Sequence, residues 1–240
     1  NSSGTGSTTA IDPLRAIGEI CSKSDIWLHV DAAMAGTALI LPEFQWMIDG
    51  KEYIDSFLFN PHKWMFTNFD CTAFFIKDAA TLIKTFEILP EYLKTRTRGI
   101  VNDYRDWGIP LGRRFRALKL WSVIRSYGTE GLQKKIREHI DFAARLKKMI
   151  LREADFEILA PVVINVVCFR YCPSGIDEKG LNALNEKLNH YLNDTGRLYL
   201  SHTIINGKYT LRMVTGQTNV TFNHVEKAWE LIKESARGLI

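Results

Sequence analysis

The sequence predicts an α/β fold in which a sheet-and-helix unit is followed by a smaller α+β unit. Three observations predict it. In the first half, short apolar runs at 26–30, 56–60 and 71–76 alternate with helical patterns. Two long amphipathic stretches, 112–127 and 130–153, then divide the chain. Beyond them, strand-like runs return at 162–171 and 209–214, with helical patterns between and after them.

Each element has a local reason. Asp12 and Pro13 predict a helix start, with Asp12 as N-cap and Pro13 in the first helical position. Leu14, Ile17 and Ile20 give that helix an apolar face. The run Ile26-Trp27-Leu28-His29-Val30 reads as a strand ending at Asp31, followed by the small residues Ala32-Ala33-Met34-Ala35-Gly36. Residues 56–60 form a second strand, closed by Pro61, and 71–76 a third. Such continuous apolar strands predict a sheet covered on both faces. Gly128 ends the first long helix. A helix over 178–192 and a last one over 223–235, with Val225, Ala228, Trp229 and Ile232 on one face, complete the second unit. The border is expected near Lys119, giving units 1–119 and 120–240.

Composition narrows the function classes. The 240 residues are 46% hydrophobic and 24% charged, ordinary for a globular protein. No apolar run reaches the roughly 18 residues of a membrane span, so no membrane association is expected. The amino terminus has neither a basic start nor an apolar stretch, which argues against a secretion signal. It lacks Met and opens inside a Gly/Ser/Thr turn, so a fragment is expected. The net charge of +4 is spread along the chain without an aromatic-interleaved basic stripe, which argues against nucleic acid. Cys21, Cys71, Cys168 and Cys172 form no Cys-x-x-Cys pair and read as thiols in a reducing cytosol, with no metal site.

Two strand ends hold the chemistry. Asp31 follows Trp-Leu-His-Val, and Lys63 lies in Asn60-Pro61-His62-Lys63-Trp64. Both fall just past the carboxyl ends of apolar strands, where open α/β sheets place ligands. From pattern alone, a plain salt bridge between them competes with a functional pair.

His29-Val30-Asp31-Ala32-Ala33, Asn60-Pro61-His62-Lys63-Trp64, Asn68-Phe69-Asp70-Cys71 and Pro110-Leu111-Gly112-Arg113-Arg114-Phe115-Arg116 occur in that order. Together they resemble group II pyridoxal-phosphate decarboxylases of the aromatic-L-amino-acid type, and the similarity continues through Val167-Cys168-Phe169-Arg170 to the last helix. The resemblance implies the aspartate-aminotransferase-like fold type I: part of a large cofactor-binding domain, then a small carboxyl-terminal domain. It implies pyridoxal 5'-phosphate as cofactor, an amino-acid substrate and a cytoplasmic homodimer. Lys63 becomes the Schiff-base lysine. Asp31 pairs with the pyridine nitrogen, keeping the ring a better electron sink. Ala33 lies against the ring, and Asn60 and His62 touch the phosphate.

The polar stretch 90–104 matches a mobile loop that closes over the site. Within it Tyr92 matches the tyrosine that protonates Cα after carbon dioxide leaves. Related aldehyde synthases tend to carry Phe there, so Tyr92 favours simple decarboxylation. Lys94, Arg96 and Arg98 read as solvated loop cations. Departures from the pattern are Met34, where Tyr is common, and Gly6, where a cofactor-contacting Thr is usual, with Thr5 adjacent. The family's Ser-rich phosphate turn and ring-stacking histidine are expected to precede this chain. Two other readings therefore stand beside decarboxylation: an aromatic aldehyde synthase, and a non-catalytic fragment lacking part of the cofactor site.

Overall fold

The computed structural model describes Thr8, residues 10–87 and residues 101–239. Tyr92, the loop cations and the Thr5–Gly6 pair lie outside the described residues.

The first helix, α1, spans Leu14–Lys23. It starts one residue later than expected. Pro13, not Asp12, holds the cap position, because its ψ of 75° is outside the helical range. Asp12 instead presents its carbonyl to the Leu14 amide at 2.8 Å. Leu14 is buried, but Ile20 is 64% exposed, so the apolar face is narrower than the spacing predicted.

Strand β1 (His29–Asp31) pairs in parallel with β2 (Ser56–Phe59), and β2 pairs antiparallel with β3 (Ala73–Ile76). The sheet order is β1-β2-β3. Between β1 and β2 the chain makes three 3-10 segments, Ala35–Ile40, Pro42–Ile48 and Lys51–Tyr53. Gly36 makes the first of these possible: a Cβ there would stand 2.5 Å from Phe59 Cβ, so only glycine allows this approach to β2. Among the described residues the expected cover on both faces is not seen at β3. Phe74 and Phe75 point to opposite faces, and both are exposed.

A one-turn helix α2 (Pro61–Trp64) follows β2, and α3 (Ala79–Phe86) follows β3. Asp78 caps α3 by accepting from the Ala80 amide. After a 3-10 turn at Tyr104–Trp107, helix α4 runs over Arg116–Ile150. It is broken at Gly128, whose φ of 65° and ψ of 175° no helix admits. The predicted stop at Gly128 is thus a sharp change of direction between two helical segments.

The second sheet, order β4-β5-β7-β6, is antiparallel throughout. Its strands are β4 (Phe156–Ile158), β5 (Val166–Tyr171), β6 (Ser201–Ile205) and β7 (Lys208–Val214). Sequence reading missed β4 and β6. Helices α5 (Glu178–Asp194) and α6 (Phe222–Arg237) complete this part. Val167, Phe169 and Tyr171 of β5 meet Leu146 and Ile150 of α4, Leu188 and Leu192 of α5, and Trp229 and Ile232 of α6 in its core. A second apolar cluster joins the two halves. Trp64 of α2 packs with Ala35, Ala38 and Leu41, and with Ile136 of α4 and Ile164.

Helix α5 is fixed by a file of asparagines. Asn182 accepts from the Tyr209 amide at 2.6 Å, and Asn193 accepts from the Leu200 amide at 2.8 Å. Asn185 accepts from the Tyr171 amide and donates to the Tyr171 carbonyl, both at 2.8 Å. Because β7 pairs with β5 only over Val166–Phe169, Asn185 supplies the rung that the sheet lacks at Tyr171. No helix of the described residues is long and apolar enough to cross a membrane.

Candidate active site

β1 and β2 are parallel, so their carboxyl ends share one edge of the sheet. Asp31 is opposite Leu58 in that register. The chain continues past both ends in step, since the Asn60 amide donates to the Ala33 carbonyl at 2.9 Å. Adjacent strands stand about 4.8 Å apart, and this bond carries the pairing beyond β1 toward the residues for which the resemblance implies chemistry. Asp31 and the segment Asn60–Lys63 are brought together in this way.

Asp31 is exposed, and its Oδ1 accepts from the Ala33 amide at 2.9 Å, which holds the carboxylate at the bend. Ala33 itself is half-buried between two tighter neighbours, Ala32 and Ala35. Lys63 is exposed in α2, its amide bonded to the Asn60 carbonyl at 2.9 Å. Among the described residues Lys63 makes no ion pair with Asp31, so the salt-bridge reading of the two strand ends fails.

The start of β3 closes the same edge, because β3 runs antiparallel and pairs Ala73 with Phe59. Thr72 Oγ1 donates to Asn60 Oδ1 at 2.9 Å, which turns the amide so that Nδ2 is its unengaged end. His62 Nδ1 lies 2.9 Å from the Cys71 amide nitrogen and 2.7 Å from the Cys71 carbonyl oxygen. One nitrogen in a neutral ring cannot serve both. With Nδ1 accepting from the Cys71 backbone N–H, whose hydrogen is fixed, the ring proton is on Nε2. Phe69 packs edge-on against the ring, 4.9 Å between centroids.

Behind this edge lies an ion cluster. Arg116, at the start of α4, donates to Asp70 through Nε at 3.1 Å and Nη2 at 3.0 Å. The Arg116 hydrogen bonds hold the Asp70 carboxyl below its usual range. Burial pushes the neighbouring Cys71 thiol up, which makes it a poor nucleophile. Trp64 is buried beneath Lys63, and its indole Nε1 donates to His139 Nδ1 of α4 at 3.1 Å.

The structure therefore brings together Asp31, Ala33, Asn60, His62 and Lys63, and Tyr92 is not among the described residues. Sequence reading missed Thr72, Cys71 and His139, which hold the predicted residues in place. Cys71 ends one of the motifs that carry the resemblance, but its bond to His62, like that of Thr72 to Asn60, is not legible until the β2–β3 register is known. A groove of 450 Å³ lined by Asp12, Leu14, Trp46 and Asp49 is no rival site. Its Asp49 is already held by both nitrogens of an Arg15 fork.

The chain is similar to known proteins. A phenylacetaldehyde synthase of Arabidopsis thaliana is 45% identical over 239 residues, which is 99% of this chain and 49% of that protein. Tyrosine decarboxylase 3 of Petroselinum crispum is 44% identical over 244 residues, covering 99% of this chain and 47% of its own length. The solved structure of Oryza sativa TDC with PLP and tryptamine superposes with a TM-score of 0.95 at 38% identity, over 99% of this chain and 50% of that one. The chain thus spans about half the length of these relatives, and its fold is that of fold type I decarboxylases. The conserved domain of pyridoxal-dependent decarboxylases matches residues 1–172, both strand ends and the helix of Lys63 included, and the chain belongs to that family.

Proposed function

We propose that the protein bearing this chain decarboxylates an aromatic L-amino acid to its amine and carbon dioxide, with pyridoxal 5'-phosphate attached to Lys63. The observation that carries this reading is that Asp31 and the segment bearing Lys63, whose amine has no partner among the described residues, lie past the shared edge of two parallel strands. The residues present fit the cofactor. They offer an accessible amine, a fixed carboxylate, a small residue beside it, and two side chains, Asn60 and His62, each with a donor left unengaged by Thr72 and Cys71. The Oryza structure was solved with PLP and tryptamine, which supports both the cofactor and the aromatic substrate class.

When bound, the cofactor's pyridine ring takes up the electron pair released as carbon dioxide departs. The chain's own residues do the rest. Lys63 would be the amine that holds the cofactor's aldehyde. Asp31 would hold a proton at the pyridine nitrogen. Ala33 would leave room for the ring face. Asn60 Nδ2 and His62 Nε2–H would be the donors to the phosphate. Tyr92 delivers a proton to Cα. We place the lysine-bearing unit at 1–119 and the smaller unit at 120–240, and the active form as a cytoplasmic homodimer. Exposed Phe115, Leu118 and Trp121 around the start of α4 are consistent with a partner surface.

A second reading, aldehyde synthesis, is favoured by the 45% identity to a phenylacetaldehyde synthase. One experiment separates all the readings. The purified protein is titrated with pyridoxal phosphate and given tryptophan, tyrosine or phenylalanine, with Lys63→Ala and Tyr92→Phe alongside. A visible absorbance band absent from Lys63→Ala, with amine as product, supports decarboxylation. Aldehyde from the unmodified protein overturns it in favour of the synthase. No band from this 240-residue chain, but a band from the full-length protein, makes the chain non-catalytic alone. Tyr92→Phe is expected to turn amine formation toward aldehyde.

A further inference from the structure

The helix that carries Lys63 is four residues long, and one helical turn does not hold its own orientation in water. Something outside it must decide which way the amine faces. Two groups grip α2 from the edge of the sheet: the Asn60 amide on the Ala33 carbonyl, and His62 on Cys71. Both act at its amino-terminal side. The carboxyl-terminal side is held by Trp64, which directly follows Lys63 and is 1% exposed.

Trp64 is a large apolar plug with one polar atom, and that atom has one directed contact. Its Nε1–H donates to His139 Nδ1 at 3.1 Å. His139 is 0% exposed and is itself fixed on several sides. Phe66 meets the ring edge-on at 5.6 Å between centroids. Thr215 Oγ1 donates to the His139 carbonyl at 2.8 Å. The Thr215 amide in turn donates to the Asn165 carbonyl at 2.9 Å, tying this point to the chain leading into β5. The indole is also walled in. A Cβ at Gly216 would lie 3.4 Å from Trp64 Cδ1, so the loop after β7 runs alongside it. Accepting at Nδ1 leaves the proton on Nε2, which faces the Gln217 backbone without reaching hydrogen-bond geometry. An apolar residue of similar size would fill the same space, so packing alone does not require a histidine there. A directed acceptor does.

We propose that His139 is a positioning residue for Lys63: by fixing the roll of the Trp64 indole it sets the direction of the neighbouring amine toward the strand edge where Asp31 lies. The inference rests on the reading of Lys63 as the cofactor lysine. It makes the smaller unit, through α4 and the Asn165–Thr215 pair, part of the lysine's support.

Three variants of the full-length protein test it. Asn at position 139 places an amide oxygen near where Nδ1 stands, so His139→Asn keeps an acceptor. His139→Leu removes it. The double variant Trp64→Phe/His139→Leu removes donor and acceptor together, which spares the fold a buried unpaired N–H. The readouts are the absorbance band on pyridoxal phosphate titration, the indole N–H proton resonance of Trp64, and the urea midpoint. In His139→Leu the half-saturating cofactor concentration is expected to rise about tenfold or more, equivalent to about 1.4 kcal/mol, with the Trp64 resonance shifted. His139→Asn is expected to restore most of both. The double variant is expected to recover the urea midpoint but not the cofactor titration, a split that a merely structural role would not produce. It also serves if the Leu variant does not fold. A normal titration in folded His139→Leu, or in the double variant, overturns the inference and leaves the Lys63 reading intact. A wild-type protein with no more band than Lys63→Ala overturns the Lys63 reading, and this inference with it.

Discussion

Acidification should weaken this fold through one buried ring before the carboxylates respond. Burial pulls the His139 imidazole down from 6.5 to about 4, because the charged form finds no water in its setting. Lys135, on the same helix, adds to the depression, and Glu138 opposes it. The groups that meet the ring from other elements, Trp64, Phe66 and the Gln217 backbone, are uncharged. In the unfolded chain the ring takes a proton below about pH 6.5, whereas in the folded chain it does so only near 4. Its contribution is therefore fully present above about pH 6.5 and is lost as the pH falls toward 4. At about 1.36 kcal/mol per pKa unit, the full loss is on the order of 3 kcal/mol, with roughly 2 kcal/mol already gone near pH 5. The assay is the urea midpoint at a series of pH values for wild type and His139→Asn. Carboxylates whose pKa values the fold lowers, such as Glu153 and Asp155 beside Arg237, weaken it in both proteins at lower pH and cancel in the difference. The wild type should lose stability between about pH 6.5 and 4.5 faster than the variant. Parallel curves would refute the reasoning, since they would mean that the ring is solvated or already charged in the fold.

Two further outcomes follow from packing and hydrogen bonding. Gly36→Ala places a methyl 2.5 Å from Phe59 Cβ and 3.1 Å from Ala32 Cβ, next to the end of β2, and should destabilise by about 1–3 kcal/mol as read by urea unfolding. Asn185→Ala strips the Tyr171 amide and carbonyl of their side-chain partner inside the core, and a loss on the order of 3 kcal/mol is expected, with faster hydrogen exchange at the Tyr171 amide.

The parts of the fold legible in the sequence were those whose pattern is local. Gly128, the strand run before Pro61 and the face of the last helix each state their conformation within a few residues. Asp31 and Lys63 stood out as charged residues past the ends of apolar strands, but that pattern fitted a salt bridge equally, and it was the family resemblance that proposed roles for them. What escaped was set by pairing. Strand β6 is only partly buried and reads as loop until β7 lies beside it. The asparagines of α5 look like helix surface, yet Asn185 is buried because it bonds the Tyr171 backbone where β5 lacks a β7 partner, and Asn189 is buried against the Tyr209 hydroxyl. The exposed Phe74 and Phe75 escaped in the opposite sense: apolar residues in a strand predict cover, and only neighbours decide whether it is there.

The residues that hold the site share a further property. Strands β1 and β2 have three and four residues, and α2 has one turn, so none of the elements that carry Asp31, Asn60 and Lys63 is stable by itself. Their mutual placement depends on bonds whose other partner comes later in the chain: Thr72 on Asn60, Cys71 on His62 and His139 on Trp64. Arg116 on Asp70 steadies the segment that supplies the first two. The segment that carries Lys63 is a single turn at the sheet edge. Its rigidity is consequently borrowed from α4 and the second sheet, whose core is large enough to lend it. A substitution in α4 far from Asp31 can therefore act on the amine of Lys63 without touching it.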